Sequence, residues 1–107
     1  MKSLEQLTDS VFYIMAAFTK PRHGYAVMSE IEALTNGEVT IGPASLYTII
    51  KKLMAQEYIT LYDASDSRRK VYTLTEKGRD VLTHDIARRE KMIRFAKIGL
   101  EGDVSHD

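Results

Sequence analysis

The sequence predicts a mainly α-helical chain with one small β-hairpin, an α+β domain that ends in a long helix. Apolar residues recur at spacings of three and four in three successive segments, which is the pattern of amphipathic helices. Two runs rich in β-branched and aromatic residues then flank a polar stretch, and an unbroken helical pattern follows them. At 107 residues, the chain has room for one compact domain.

The first predicted helix follows Ser3 and Gln6, whose spacing matches a capping box. Its apolar positions are Leu4, Leu7, Val11, Ile14, Met15 and Phe18. Pro21 and Gly24 end this helix, because proline and glycine both disfavour a helix interior.

Two more helices are predicted before the hairpin. The second starts near Tyr25 and stops at Asn36-Gly37, residue types that accept the left-handed conformation of a helix end. The third begins at Pro43, where the missing N–H costs little. Its apolar side holds Leu46, Ile49, Ile50 and Leu53. Its outer side is hydroxylic and basic, and holds Ser45, Thr48, Lys51 and Lys52, with Tyr47 at the edge.

The hairpin is predicted from residues 59–62 and 70–74, which are rich in residues that favour strands. The polar segment 64–69 lies between them, so Arg68, Arg69 and Lys70 give the hairpin a basic tip.

The last helix is predicted to run from Thr75, a good N-cap, to Leu100, a length of roughly 40 Å. One side of it carries a seam with alternating steps of four and three residues. The seam consists of Leu82, Ile86, Arg89, Ile93, Ala96 and Leu100. An isolated apolar seam of this length predicts a partner helix, so we expect these residues to form a dimer interface. Residues 101–107 are predicted to be a frayed tail.

Composition and spacing argue against several classes of protein. There is no cysteine, so disulfides and thiolate metal sites are excluded. The N-terminus has no signal-peptide core, and no apolar run is long enough to span a bilayer, so we expect a cytoplasmic protein. His23, His84 and His106 are scattered, and Asp63 and Asp66 are best interpreted as solvated turn residues. We therefore expect neither an enzyme nor a cofactor or metal site.

The distribution of charge along the chain favours a nucleic-acid partner, although the net charge does not. The formal net charge is zero, whereas DNA-binding proteins usually show a basic footprint. Residues 1–42 hold three basic and five acidic side chains, but residues 43–72 hold five basic and three acidic ones. The basic excess therefore lies on the third helix and the hairpin tip.

The order helix, helix, helix, hairpin, long helix is that of a winged helix-turn-helix domain, in which the third helix can enter a major groove of double-stranded DNA. We expect residues 1–74 to form this DNA-binding domain and residues 75–107 to form the dimerisation helix and tail. Short charge runs usually only solvate a surface, but the joint placement of these two favours DNA binding. The expected DNA-binding residues are Ser45, Tyr47, Thr48, Lys51, Lys52, Arg68, Arg69 and Lys70.

Several motifs resemble the PadR family of bacterial transcription regulators. They are His23-Gly24-Tyr25, the run from Ser45 to Leu53, Glu57-Tyr58-Ile59, and the run from Arg68 to Gly78. The most specific of them are the Leu46-Tyr47 pair and the run Arg-Arg-Lys-x-Tyr-x-Leu-Thr-x-x-Gly. The resemblance covers most of the chain, and the length fits the short branch of the family with a single C-terminal helix.

The resemblance implies a homodimeric repressor that a small aromatic or drug-like effector releases from its operator. Some short-branch relatives stack flat ligands on an aromatic residue of the dimer helix, but this chain has Arg89 at the matching place and no tryptophan. Arg89 could pair across the dimer, bind an anionic effector, or bury only its stem. Tyr13, Tyr25 and Tyr72 could line an effector cleft or belong to the core.

Two other functions stay open at the level of the sequence. One is a winged-helix module that binds protein without direct DNA contact, which the zero net charge permits. The other is a small-molecule carrier or enzyme built on the dimer cavity.

Overall fold

The computed structural model describes residues 6–63, 65 and 68–105, and only the backbone of residues 103–105. The helices are α1 (Asp9–Ala17), α2 (Gly24–Leu34), α3 (Pro43–Ala55) and α4 (Glu76–Ser105). The strands are β1 (Arg22–His23), β2 (Ile59–Asp63) and β3 (Val71–Leu74). The predicted α+β architecture, with three helices, a hairpin and a long last helix, is confirmed.

The start of α1 differs from the prediction. Thr8 is the N-cap, and its hydroxyl accepts a hydrogen bond from the Val11 amide at 3.2 Å. Leu7 therefore precedes the helix, although it is buried in the core. The predicted cap Ser3 and the apolar Leu4 lie outside the described residues. Thr8 needs no glutamate partner for this role, because a threonine hydroxyl alone satisfies one of the first free amides of a helix.

The end of α2 and the start of α3 follow the predicted pattern. Asn36 and Gly37 have positive φ angles of 54° and 78°, as a left-handed helix stop requires. Pro43 is the first residue of α3. Leu46, Ile50 and Leu53 are buried on one side of α3, while Ile49 is only partly buried.

The sheet has three strands in the order β1-β3-β2, all antiparallel. The predicted hairpin forms its β2 and β3, and a register shift lies between Leu61 and Asp63. The short strand β1 was not predicted. It forms because Arg22 and His23, just after Pro21, pair with Tyr72 and Val71 about fifty residues later.

The core lies between α1, α2, α3, the sheet and the first turns of α4. Its largest fully buried side chains are Phe18, Ile14, Met15, Leu46, Leu53, Ile59, Val27, Val81 and Asp85. The amide of Leu74 donates a hydrogen bond to the Phe18 carbonyl at 2.9 Å, which ties the end of α1 to β3. The DNA-binding candidates on α3 and the hairpin are thus attached to one common core.

The junction between α3 and α4 is closely packed. Glu57 ends the turn after α3 with a φ of 64°. The hydroxyl of Thr75 donates to the Glu57 carbonyl at 2.6 Å and accepts from the Gly78 amide at 2.9 Å, so Thr75 is the predicted N-cap of α4. The Thr75 amide donates to the Tyr58 carbonyl at 3.0 Å. Gly78 is buried against this carbonyl and has no room for a side chain.

Only the first turns of α4 pack on the rest of the chain. The helix continues to Ser105, five residues beyond the predicted end, and every residue from Glu90 to Gly102 is exposed. The radius of gyration is 16.7 Å, compared with about 13 Å expected for a compact chain of this length. No described helix combines the length and the apolar character needed to cross a membrane.

Candidate nucleic-acid interface

The outer side of α3 is a solvent-exposed, hydroxylic and basic surface. Ser45, Thr48, Lys51 and Lys52 are exposed, and Tyr47 at the edge of the helix is 41% exposed. They are accessible because Leu46, Ile50 and Leu53 take the opposite side of α3 into the core. A helix with this distribution can enter a groove and form hydrogen bonds with phosphates and base edges.

The two edges of this surface differ in their surroundings. Tyr47 lies toward the N-terminal end of α2 and the hairpin tip, and its ring meets that of Tyr25 edge-on at 6.1 Å between centroids. Lys52 lies on the other edge, beside Gln56 and Tyr58. The structure therefore brings Tyr47 together with the predicted hairpin residues and separates Lys52 from them.

The hairpin tip carries the remaining predicted residues. Arg68, Arg69 and Lys70 are exposed just before β3, while Ala64, Asp66 and Ser67 lie outside the described residues. Asp63 accepts a hydrogen bond from the Ser65 amide at 2.9 Å. This bond lowers the pKa of the Asp63 carboxyl below its ordinary value. Asp63 thus keeps its charge near the tip at neutral pH.

An open groove of about 670 Å³ joins α2, α3 and the hairpin tip. We call it the α2–wing groove. Its described lining residues are His23, Gly24, Tyr25, Ala26, Ser29, Tyr47, Arg68, Arg69, Lys70 and Tyr72. Two of the three tyrosines considered in the sequence, Tyr25 and Tyr72, line this groove, but Tyr13 does not. The groove was not predictable from the sequence, because its residues come from three distant segments.

The predicted seam of α4 divides into two parts. Leu82 is buried in the core of its own chain and is only 6% exposed. It is therefore largely unavailable to a partner, because the core reaches further along α4 than the seam pattern suggested. Ile86, Ile93 and Leu100 are 40%, 55% and 66% exposed. Ala96 is exposed beside them.

Arg89 pairs within its own chain. Its guanidinium donates hydrogen bonds to Asp85 at 2.8 Å, to Asp9 at 2.9 Å and to the Leu7 carbonyl at 3.0 Å. Its charged carbon lies 4.3 Å from the centre of the Phe12 ring, in cation–π geometry. These contacts give Arg89 a structural role within its own chain, where it joins α4 to the start of α1.

Asp85 is the centre of this cluster and was not singled out in the sequence. It is fully buried and accepts hydrogen bonds from Arg88, Arg89 and the Leu7 amide. Burial alone raises the pKa of Asp85, but the hydrogen bonds from the two arginines and the amide lower it below its ordinary value. The spacing of Asp85 to Arg88 and Arg89, three and four residues, was the available signal.

A hydroxylic and basic helix beside a basic hairpin, both held on a small helical core, defines the winged-helix class of DNA-binding proteins. Similar proteins support this assignment to the winged-helix class. The profile of the Transcriptional regulator PadR-like family matches residues 11–84. An uncharacterized protein of Lysinibacillus sphaericus is 31% identical over 86 residues, which cover 78% of this chain and 79% of that protein.

Solved structures with the same fold include a transcriptional regulator from Clostridium thermocellum, at a TM-score of 0.71 and 19% identity, covering 81% of this chain and 88% of the other. A PadR-like transcription factor from Bacteroides fragilis has a TM-score of 0.70 at 17% identity, with 82% and 86% covered. RosR of H. salinarum has a TM-score of 0.67 at 21% identity, with 92% and 96% covered.

The chain belongs to the PadR-like family of transcriptional regulators. Members of this family are regulators of transcription, so the chain is a regulator with a DNA-binding fold rather than an enzyme.

Proposed function

We propose that the protein is a homodimeric repressor that reads a specific operator with α3 and contacts the flanking backbone with the hairpin tip, the wing. The observation that carries this proposal is the outer side of α3, where hydroxyl and ammonium groups are exposed directly opposite the buried Leu46 and Leu53. Hydroxyl groups can contact base edges, whereas the lysines neutralise phosphates. Arg68 and Arg69 suit the wing because a guanidinium binds phosphate bidentately.

In this proposal, residues 1–74 bind DNA and residues 75–107 form the dimer interface. Exposed apolar side chains along the outer half of α4 support it. Ile86, Ile93 and Leu100 lie on one side of the helix, beside Met92, which is 55% exposed. A row of this kind exposes apolar surface to water, which favours association. In a two-fold dimer, the two copies of α3 would reach successive major grooves about 34 Å apart.

Repression is the mode of regulation that operator occupancy alone can produce, because a bound dimer excludes other proteins from the same DNA. Release by a small aromatic or drug-like effector belongs to the same proposal. Such a ligand would act by binding the DNA-free dimer more tightly than the DNA-bound dimer. A screen that follows operator release from the full-length protein would identify it.

The first test concerns DNA binding by α3. An operator is obtained by repeated selection from random duplexes, and its affinity is measured at several salt concentrations. Lys51→Ala and Lys52→Ala should each weaken binding to all sequences and reduce the magnitude of the log–log salt slope by about 1.8, because each removes one phosphate contact from both protomers of the dimer. Lys91→Ala on exposed α4 is the control and should leave affinity and slope unchanged. Unchanged slopes in both α3 variants would mean that these lysines only solvate the surface.

The second test concerns the dimer. Ile93→Glu should convert the dimer into a monomer, because it places a charge in the centre of the exposed apolar row on α4. Ala87→Glu, on another side of the same helix, is the matched control and should stay dimeric. Sedimentation at micromolar concentration gives the oligomeric state of each. A monomeric wild-type protein would refute the dimer outright.

A further inference from the structure

The α2–wing groove keeps an aromatic side chain at the surface without burying it. Tyr25, at the second position of α2, is 64% exposed. Its hydroxyl makes no hydrogen bond to any other described residue, so it is available to a ligand. An exposed tyrosine ring is common in proteins, but this one is fixed by a neighbouring ring and opens onto a groove.

Tyr47 fixes the position of Tyr25, and Gly24 makes room for Tyr47. The two rings meet at an interplanar angle of 70°. A Cβ at Gly24 would lie 3.0 Å from the Tyr47 hydroxyl oxygen, which is tighter than ordinary contact. Glycine at this position therefore lets the Tyr47 hydroxyl lie against the first turn of α2. Burial raises the pKa of Tyr47, and the neighbouring Tyr25 and Tyr72 raise it further, so its hydroxyl stays protonated and can donate.

The charge on the groove favours an anion. Arg68, Arg69 and Lys70 form one wall, and none of the described lining residues is acidic. The acidic Asp63 interacts with His23 at the edge of the groove, but the three basic side chains outnumber it. The opposite wall supplies the hydroxyls of Tyr25 and Ser29, which lie one turn apart on α2. Tyrosine and serine hydroxyls and arginine side chains are among the groups that bind DNA phosphates.

We infer that the α2–wing groove binds one backbone phosphate of the operator, with the Tyr25 hydroxyl donating a hydrogen bond to a phosphate oxygen. This inference rests on the proposed function and adds a third contact element, α2, to the helix and wing. The groove is open and is continuous with the outer side of α3 through Tyr47, so a strand that follows α3 would pass over it. Small molecules usually bind in enclosed pockets, so an open groove of this kind is better suited to a phosphate that is part of a polymer.

The test uses the selected operator and the full-length protein. Tyr25→Phe keeps the ring contact with Tyr47 and removes only the hydroxyl. It should lower the affinity of the dimer for its operator about a hundredfold, because each protomer loses one hydrogen bond to a charged group, which accounts for about tenfold. The log–log salt slope should stay at the wild-type value, because tyrosine carries no charge and releases no counterion. Lys51→Ala should change the slope, so the two kinds of contact are separable.

Neutralising single phosphates identifies the partner of Tyr25. A series of operators is made, each with a single methylphosphonate at a different position. Wild-type protein should bind more weakly to those operators in which the neutralised phosphate is one that the protein contacts. At one position, Tyr25→Phe and the methylphosphonate should be non-additive, because both remove the same hydrogen bond. Tyr13→Phe is the control, since Tyr13 does not line the groove, and it should be additive at every position.

Two results would overturn the inference. The first is a wild-type affinity in Tyr25→Phe, and the second is additivity of Tyr25→Phe with every methylphosphonate. A failure of Tyr25→Phe alone leaves repression by α3 and the wing intact, whereas a wild-type protein that binds no duplex refutes both proposals.

Discussion

Replacing Asp85 by asparagine should lower the free energy of unfolding by about 3 kcal/mol. The change leaves Arg88 and Arg89 without the buried carboxylate that both contact at 2.8 Å. It also replaces the carboxylate that accepts a hydrogen bond from the backbone N–H of Leu7 with a neutral side-chain amide. The expected loss lies at the low end for buried ion pairs, because the two arginine side chains are about a quarter exposed and can reach water.

Thermal or urea unfolding at a single protein concentration measures this loss, since the stability of the proposed dimer would depend on concentration. Asp80→Asn is the matched control. Asp80 is exposed on the same helix, so its replacement should change stability by less than about 0.5 kcal/mol. Equal stability of the two variants would show that the Asp85 cluster contributes nothing to the fold.

Asp85 should also make stability depend on pH. Its folded-state pKa lies below the ordinary value of 3.8, so the unfolded chain takes up a proton more readily in acid. The contribution of Asp85 is complete above about pH 4 and is lost as the pH falls through the lower, folded-state pKa. Asp85→Asn should lack this part of the acid-induced loss, which unfolding curves at a series of pH values below 5 would reveal.

Gly78→Ala should destabilise the protein by about 3 kcal/mol and lower its melting temperature by more than about 10 °C. A Cβ at this position would overlap the carbonyl oxygen of Tyr58 and press on the Leu74 side chain. The Tyr58 carbonyl cannot simply move aside, because it accepts a hydrogen bond from the Thr75 amide. Either α4 or the turn after α3 must shift.

Gly99→Ala is the matched control for this prediction. Gly99 lies on the same helix, and a Cβ there meets nothing within 4 Å. Because glycine is a poorer helix former than alanine, this change should be neutral or stabilise the protein by up to about 1 kcal/mol. If the two variants have the same melting temperature, close packing at Gly78 does not stabilise the junction between the turn after α3 and α4.

Elements with local signals were predictable from the sequence. Pro43 begins α3, Asn36-Gly37 ends α2, and Thr75 caps α4, because each of these features depends on residues within a few positions. The exposed side of α3 was predictable for the same reason, since helical spacing alone decides which residues lie opposite Leu46 and Leu53.

Features that join distant segments were not predictable. Strand β1 is only two residues long, too short for any period, and exists because β3 lies beside it. Asp85 looked like an ordinary polar residue of a helix, and its burial depends on the N-terminal segment that covers it at Leu7. The α2–wing groove needs Tyr25, Tyr47 and Arg69 to meet across more than forty residues of chain.

The length of α4 makes it a lever. Its first turns are fastened to the domain by Val81, Leu82 and the Asp85 cluster, whereas its outer half extends from the body. The stretch of α4 from Asp85 to Leu100 is about 22 Å long, so in the proposed dimer a tilt of about 10° around its outer end displaces the domain by about 4 Å. That displacement is about one base-pair step of 3.4 Å. A ligand that alters the crossing angle of the two α4 helices can therefore move α3 out of register with its operator without touching any residue that contacts DNA.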